Sequence, residues 1–248
     1  MKRLFVLAIG VVMLGSAVAA APVNLTGTWT LKFWTVKPSL QQEGDRVWGY
    51  GGAKDFWFRG HWDGNRLVLV VNNFKADRKG VCTPRGTMTV TGKTVSALQS
   101  TWYRPDGKPA KGTWTRQSAD PGEKVEYPYA MELEYCGMLR TYELAFASGS
   151  DTLIGSDWPI LAAVAEVMKA NAATKIQVAG HTDSTGDPAK NQALSEARAA
   201  AVTAALVRYG ADGARITTKG WGAEQPVEEN STEEGRALNR RVELVLAR

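Results

Sequence analysis

The chain has 248 residues, 44% hydrophobic and 22% charged, ordinary globular values that exclude long-range disorder and allow one large or two small domains. Its formal charge of +5 is unevenly spread: sixteen basic and eleven acidic residues fall between Ala21 and Leu139, twelve and fourteen from Arg140 onward. That base excess is too weak for a nucleic-acid partner, so a ligand of the C-terminal half must be recognised by a local pocket and not by a broad field.

Lys2 and Arg3 precede an apolar run from Leu4 to Leu14, and Ser16, Ala17, Val18, Ala19 and Ala20 follow. This is the order of a secretory signal peptide, expected over residues 1–20, with cleavage after Ala19 or Ala20. No cysteine would stand at the new N-terminus, so a lipid anchor is not expected there. The apolar run is also shorter than the about 20 residues of a spanning helix. Export would carry Cys82 and Cys136 into an oxidising compartment, where a disulfide is the default and two buried thiols the alternative. Closing their loop of about 55 residues would add roughly 4 kcal/mol on the chain-entropy account.

From Asn24 to about Arg116 the pattern is β. Short apolar or alternating runs (28–36, 46–50, 67–71, 86–90 and 112–115) are divided by turn signals at Glu43-Gly44-Asp45, Asp63-Gly64-Asn65, Thr91-Gly92-Lys93 and Pro105-Asp106-Gly107. Gly-Thr-Trp occurs at 27–29 and again at 112–114, which suggests related ends of one closed sheet. Seven of the nine tryptophans lie in this stretch, and core is their expected place. Gln117 to Lys124 reads as a linker or long loop. Met131, Leu133 and Tyr135 alternate with Glu132 and Glu134, the pattern of a further strand, and the first domain is expected to run over 21–138.

Beyond residue 139 the period changes. Tyr142 to Phe146 reads as a strand, and Ser156-Asp157-Trp158-Pro159 opens a helix with Ile160, Leu161, Val164, Val167 and Met168 at 3.6-residue spacing. Lys175 to Ala179 is a strand and Asn191 to Tyr209 a helix stopped by Gly210. Arg215 to Lys219 is a strand, a short helix starts near Asn230 or Ser231 with Glu233 and Glu234 as first-turn acids, and Arg241 to Leu246 closes the chain as a strand. The order βαβαβαβ over 139–248 describes an α/β sandwich on a mixed four-stranded sheet, beside an N-terminal all-β barrel or sandwich.

On a wheel of the second helix, Leu194, Ala201, Val202, Ala205 and Tyr209 share one face, and Arg198 falls at its middle. A guanidinium there must meet a carboxylate of the protein, a carboxylate of a ligand, or water. The loop Gly180-His181-Thr182-Asp183-Ser184-Thr185-Gly186 offers one acid, Asp183. Together the two could clamp a zwitterion, Asp183 taking an ammonium and Arg198 a carboxylate; a plain Asp183–Arg198 salt bridge is the alternative. His181 is read as shaping the loop. With His61 the only other histidine, neither a metal site nor a histidine-based catalytic pair is expected.

Residues 176–183, then Asn191 and Leu194-Ser195-Glu196-Ala197-Arg198-Ala199, resemble the core signature of the OmpA C-terminal family. So do Gly220-Trp221-Gly222 with Pro226, Asn230, Gly235-Arg236-Ala237 and Asn239-Arg240-Arg241-Val242-Glu243, every block in order over about 140–248. The resemblance implies non-covalent peptidoglycan binding through the diaminopimelate residue of the stem peptide. It puts the ammonium on Asp183 and the carboxylate on Arg198. Thr182 and Gly186 match the loop around the ligand, Asn191, Leu194 and Ser195 the facing start of the helix, and Phe146 an aromatic beside it. Where many members carry aspartate after that aromatic, this chain has Ala147. Arg240 and Arg241 match a family motif and are read first as structural partners of loop acids.

The N-terminal half is similar, less specifically, to calycin-like or lipocalin-like secreted barrels, through Leu25-Thr26-Gly27-Thr28-Trp29, residues 40–49 and residues 60–67. An eight-stranded barrel can hold one small ligand, and a small ligand or an outer-membrane partner is the expected second contact of this half. The whole reads as a periplasmic, wall-associated protein without cofactor or catalysis. Two rivals stand beside it. One is an integral outer-membrane barrel, although spanning strands need about 9–11 residues and these runs are shorter. The other is a wall enzyme, although Asp55, Asp63 and Asp77 are not spaced as an acid–base pair.

Overall fold

The structure, a computed structural model, describes residues 24–31, 37–52, 56–62, 66–73, 87–94, 97–103, 109–155 and 158–247. The expected signal peptide, Cys82, Ser156, Asp157 and the turns at 63–65 and 105–107 lie outside them, so the pairing of Cys82 with Cys136 stays an expectation.

Eight strands form the N-terminal half: β1 (Gly27–Leu31), β2 (Ser39–Glu43), β3 (Arg46–Gly51), β4 (Phe56–Trp62), β5 (Arg66–Asn73), β6 (Thr87–Thr94), β7 (Ala97–Tyr103) and β8 (Pro109–Ser118). Each pairs antiparallel with the next, and β1 also pairs with β8, so the sheet closes on itself. The two Gly-Thr-Trp copies meet at that seam. Leu31 lies opposite Trp114, and the rings of Trp29 and Trp114 stand edge to face at 6.4 Å. Gly44, at φ 59°, makes the turn between β2 and β3. Thr91-Gly92-Lys93 is not a turn but part of β6, where the register slips, and the chain reverses between Thr94 and Ala97. Alternation governs the inside: Trp29, Leu31, Val47, Phe58, Leu67, Leu69, Val71 and Trp114 pack into one buried cluster. These side chains, from β1, β3, β4, β5 and β8, pack the described part of the interior. On the outside of β8, Lys111, Thr115 and Gln117 are exposed.

Four outward positions, apolar or charged yet buried, explain the breaks in alternation. Trp48 joins the core of the C-terminal half, and Val68 and Val70 pack with Tyr142, Ala237 and Leu238. Arg59, wholly buried, reaches across the joint. Its Nε and Nη2 donate to Glu132 (both 2.7 Å), and Nη1 donates to Glu143 (2.9 Å) and to the Arg140 carbonyl (2.6 Å). Tyr127 Oη donates to Glu132 (2.8 Å) and accepts from Asn72 of β5 (2.8 Å).

Met131–Tyr135, expected as a strand, is instead helix α1 (Tyr129–Cys136). Its buried residues Tyr129, Glu132 and Leu133 follow the 3–4 spacing of a helix face. Glu132 looked outward-facing because it is charged, whereas it is the buried partner of Arg59. Gly137 at φ 68° ends the helix, its N–H donating to the Leu133 carbonyl. The strand expected at 142–146 is also displaced. It is β9 (Met138–Arg140), after which Tyr142 and Leu144 turn into the core and Phe146 makes only an isolated bridge to Leu153.

The remaining elements follow the expected order: α2 (Pro159–Ala170), β10 (Lys175–His181), α3 (Pro188–Arg208), β11 (Ile216–Gly220), α4 (Glu233–Asn239) and β12 (Arg241–Ala247). The sheet runs β11-β10-β12-β9, with β10 parallel to β11 and antiparallel to β12. Helices α2 and α3 share one core with the sheet through Leu161, Val164, Met168, Ile176, Val178 and Val202.

Gly180 sets how closely α3 lies on β10, because a Cβ there would stand 2.1 Å from the Ser195 carbonyl oxygen. Gly180→Ala should therefore destabilise the protein by about 1–3 kcal/mol in chemical denaturation, the usual cost of overpacking. A variant as stable as the parent would show that α3 yields freely.

Candidate functional site

Strand β10 delivers the loop 182–187 to the N-terminus of α3, and two contacts fix its exit. The Thr182 N–H donates to the Gly222 carbonyl (2.8 Å), and the Asp187 side chain caps α3 by accepting from the Lys190 N–H (2.9 Å). Asn191 ties the loop from the helix side, its amide donating to the carbonyls of Thr185 (3.0 Å) and Asp183 (3.3 Å). Gly186 supplies the positive φ of 91° that the turn requires. Ser184 N–H donates to Asn230 Oδ1 (3.1 Å), which brings the segment before α4 against the same loop.

Asp183 is largely buried and pre-set. One oxygen accepts the Thr185 N–H (2.8 Å), and the other pairs with Arg240 Nη1 (2.7 Å). Burial alone would push this carboxyl up, but Arg240 and the Thr185 N–H outweigh it and hold the group below its ordinary 3.8. A carboxylate depressed in the fold stabilises the native state above its unfolded pKa, and that stability is lost as pH falls through the lower, folded value. Accordingly Asp183→Asn should be less stable than the parent at neutral pH, and the gap should close on acidification below about pH 4. Denaturation curves of both proteins at pH 7 and pH 3 would test this; a gap independent of pH would contradict it.

Arg198 comes from the second turn-pair of α3, and the structure corrects its expected position. The buried face of the helix is Ser195, Ala199, Val202, Ala205 and Leu206, with Arg198 half-buried at its edge and not at its centre. Its Nε donates to the Ser150 carbonyl (3.0 Å), and its guanidinium lies 5.0 Å from the centre of the Phe146 ring. Among the described residues it has no carboxylate within ion-pair distance. Burial, and then the charge of Arg240, disfavour its cation, while Asp183 and Asp151 nearby favour it. The direct Asp183–Arg198 bridge is thus absent. Arg240 takes the aspartate, and Arg198 is left facing it without an anion.

The other expected residues divide. Thr182 lies beside the pair with its hydroxyl buried and without a hydrogen-bond partner. Leu194 is half-buried on the first turns of α3. Ser195 is wholly buried and structural: its Oγ donates to the Gln192 carbonyl (2.8 Å) and accepts the Gly222 N–H (2.9 Å). His181 is buried at the sheet, 3.7 Å from Glu243, and burial followed by the charge of Arg241 pushes it down to about 4, so it is neutral at pH 7. Arg241 pairs with Glu243 (2.8 Å). Arg240 was legible only as a partner of some loop acid; its fork joins Asp183 to Glu233 (2.8 Å). The Ser150 carbonyl carried no signal beyond its turn-forming neighbours.

Compared with known proteins, residues 145–240 match the OmpA family. The chain is 35% identical over 176 residues to the peptidoglycan-binding protein ArfA of Mycobacterium tuberculosis, covering 67% of this chain and 53% of that one. It is 44% identical over 104 residues to the probable lipoprotein YiaD of Escherichia coli, covering 42% and 48%. Among solved structures, the peptidoglycan-associated lipoprotein of Burkholderia pseudomallei is 31% identical at a TM-score of 0.40, covering 42% of this chain and 88% of that one. The chain spans about half the length of the curated relatives it matches.

Proposed function

Residues 145–240 being an OmpA family domain, we propose that the protein binds peptidoglycan non-covalently in the cell envelope and holds its β-barrel at the wall. The recognised group is the diaminopimelate residue of the stem peptide, a zwitterion whose free end carries one ammonium and one carboxylate. The observation that carries this reading is the uncompensated Arg198 beside an Asp183 already fixed as an anion. Arg198 takes the carboxylate in a forked pair of hydrogen bonds, with Phe146 beneath the guanidinium to keep it in plane. Asp183 takes the ammonium while Arg240 holds the carboxylate in position from the other side. The unpartnered Thr182 hydroxyl gives the ligand one further neutral contact. Binding of this kind breaks no bond and needs neither cofactor nor metal, so the role is anchoring and not catalysis.

The described apolar side chains of the barrel face inward or, at Trp48, Val68 and Val70, pack against the C-terminal half, and the exposed side chains of β8 are polar, which favours a periplasmic setting over a lipid-facing one. The test is sedimentation of the full chain with purified sacculi. It should pellet with walls that carry diaminopimelate and stay in solution with walls that carry lysine at that position, since lysine lacks the second carboxylate. Equal pelleting with both would overturn the assignment of the ligand while leaving wall binding intact.

A further inference from the structure

The barrel meets the ligand site through a chain of charges. On β5, Arg66, Val68 and Val70 share the outward face, and the two valines pack against Ala237 and Leu238 of α4. Arg66 continues that face to the start of the helix. Its Nη1 donates to Glu233 Oε1 (3.2 Å) and to the Glu233 carbonyl (3.4 Å). The same carboxylate oxygen accepts from Arg240 Nη2 (2.8 Å), and Arg240 Nη1 donates to Asp183 (2.7 Å). Arg66, Glu233, Arg240 and Asp183 thus form one hydrogen-bonded path from the barrel wall to the aspartate of the site.

The buried end of this path is the barrel end. The Arg66 side chain is 10% exposed, against 36% for Arg240 and 42% for Glu233. Glu233 also pairs with Arg236 (2.8 Å), but that residue belongs to the same short helix and is partly exposed. Exposed pairs hold little geometry, whereas a buried arginine on a strand is held by its surroundings. Burial would push the Glu233 carboxyl up, but Arg240, Arg66 and Arg236 keep it well below its ordinary range, so it is an anion at neutral pH.

We propose that Arg66 of the barrel is a positioning residue of the wall-binding site: it fixes Glu233, and through it the arm of Arg240 that sets Asp183 for the ligand. This role rests on the peptidoglycan reading above and makes the barrel part of the site. Without Arg66, the described partners left to Glu233 all come from α4 and its C-cap, and one cation is gone. Both changes draw Arg240 toward Glu233 and away from Asp183.

The test follows the Asp183 carboxyl of the full, ligand-free chain by ¹³C NMR titration, then measures its affinity for free meso-diaminopimelic acid. In Arg66→Gln, Asp183 should hold its proton about three-fold or more tightly, and diaminopimelate should bind about five-fold more weakly. Arg66→Lys keeps the cation and should restore most of both. With Glu233→Gln already in place, Arg66→Gln should change Asp183 no further, because the link is gone. A purely structural Arg66 would move the thermal transition and leave the Asp183 titration as it was. An unchanged Asp183 titration in Arg66→Gln, an undiminished effect with Glu233→Gln present, or unchanged or tighter diaminopimelate binding would each overturn the proposal. If the parent itself does not bind diaminopimelate, the wall reading fails, and the Asp183 titrations still decide whether the barrel sets that carboxylate. Should Arg66→Gln not fold, Arg66→Met, which keeps an aliphatic stem, takes its place.

Discussion

Arg198→Ala should remove co-sedimentation with diaminopimelate-type sacculi, with an apparent affinity about 100-fold lower and the thermal transition within a few degrees of the parent. The size follows from the loss of two charge-assisted hydrogen bonds, together worth about 3 kcal/mol, and 1.4 kcal/mol is a factor of ten. The fold should survive because Arg198 lies at the edge of the buried face of α3 and, among the described residues, is held by the Ser150 carbonyl and the Phe146 ring. Arg198→Lys keeps the charge and loses the fork, so it should fall between the two. Asp183→Ala should abolish binding as well, but at a cost in stability, since it strands Arg240 and the Thr185 N–H. That asymmetry separates ligand contacts from structural ones. Were Arg198→Ala to pellet as well as the parent, the clamp would be wrong.

The second large effect is expected at the joint. Arg59→Met should destabilise the protein by about 3–5 kcal/mol, because Glu132 and Glu143 would then be buried without a counter-charge. Burial disfavours the Arg59 cation, but the two carboxylates overcome it and hold the guanidinium charged well beyond its ordinary range. Burial likewise pushes Glu143 up, against the pull of Arg59. Adding Glu132→Leu and Glu143→Leu to Arg59→Met should recover most of the loss, since removing a whole buried network costs far less than orphaning part of it. Chemical denaturation followed by tryptophan fluorescence reports on both halves at once, because Trp29 and Trp114 lie in the barrel core and Trp158 in the other. A loss under about 1 kcal/mol in the single variant would mean that water reaches the network.

Two misread elements share one physical origin with that joint. Sequence periodicity assumes that charge marks the solvent side, and at Arg59, Glu132 and Glu143 it marks the opposite. Glu132 made a helix look like a strand, and Arg59 with Gly60 and His61 hid β4 altogether. Where burial follows ordinary rules, the elements were legible: the apolar stripe of α2, the αL stop at Gly44, and the paired Gly-Thr-Trp ends of the closed sheet. The site shows the same division. A cation on a mostly apolar helix and an acid in a glycine-bounded loop pointed to Arg198 and Asp183. That the acid is held by Arg240 is a contact across 57 residues, fixed by the register of β12 against β10, and no local pattern carries it.

The most direct measurement is a titration of the full chain with free meso-diaminopimelic acid, followed through backbone amides and the Arg198 Nε–H. Saturable shifts confined to the Thr182–Gly186 loop, Phe146 and Arg198 are the result this account predicts. Shifts that fail to saturate, or that leave Arg198 Nε–H still bonded only to the Ser150 carbonyl, would contradict it.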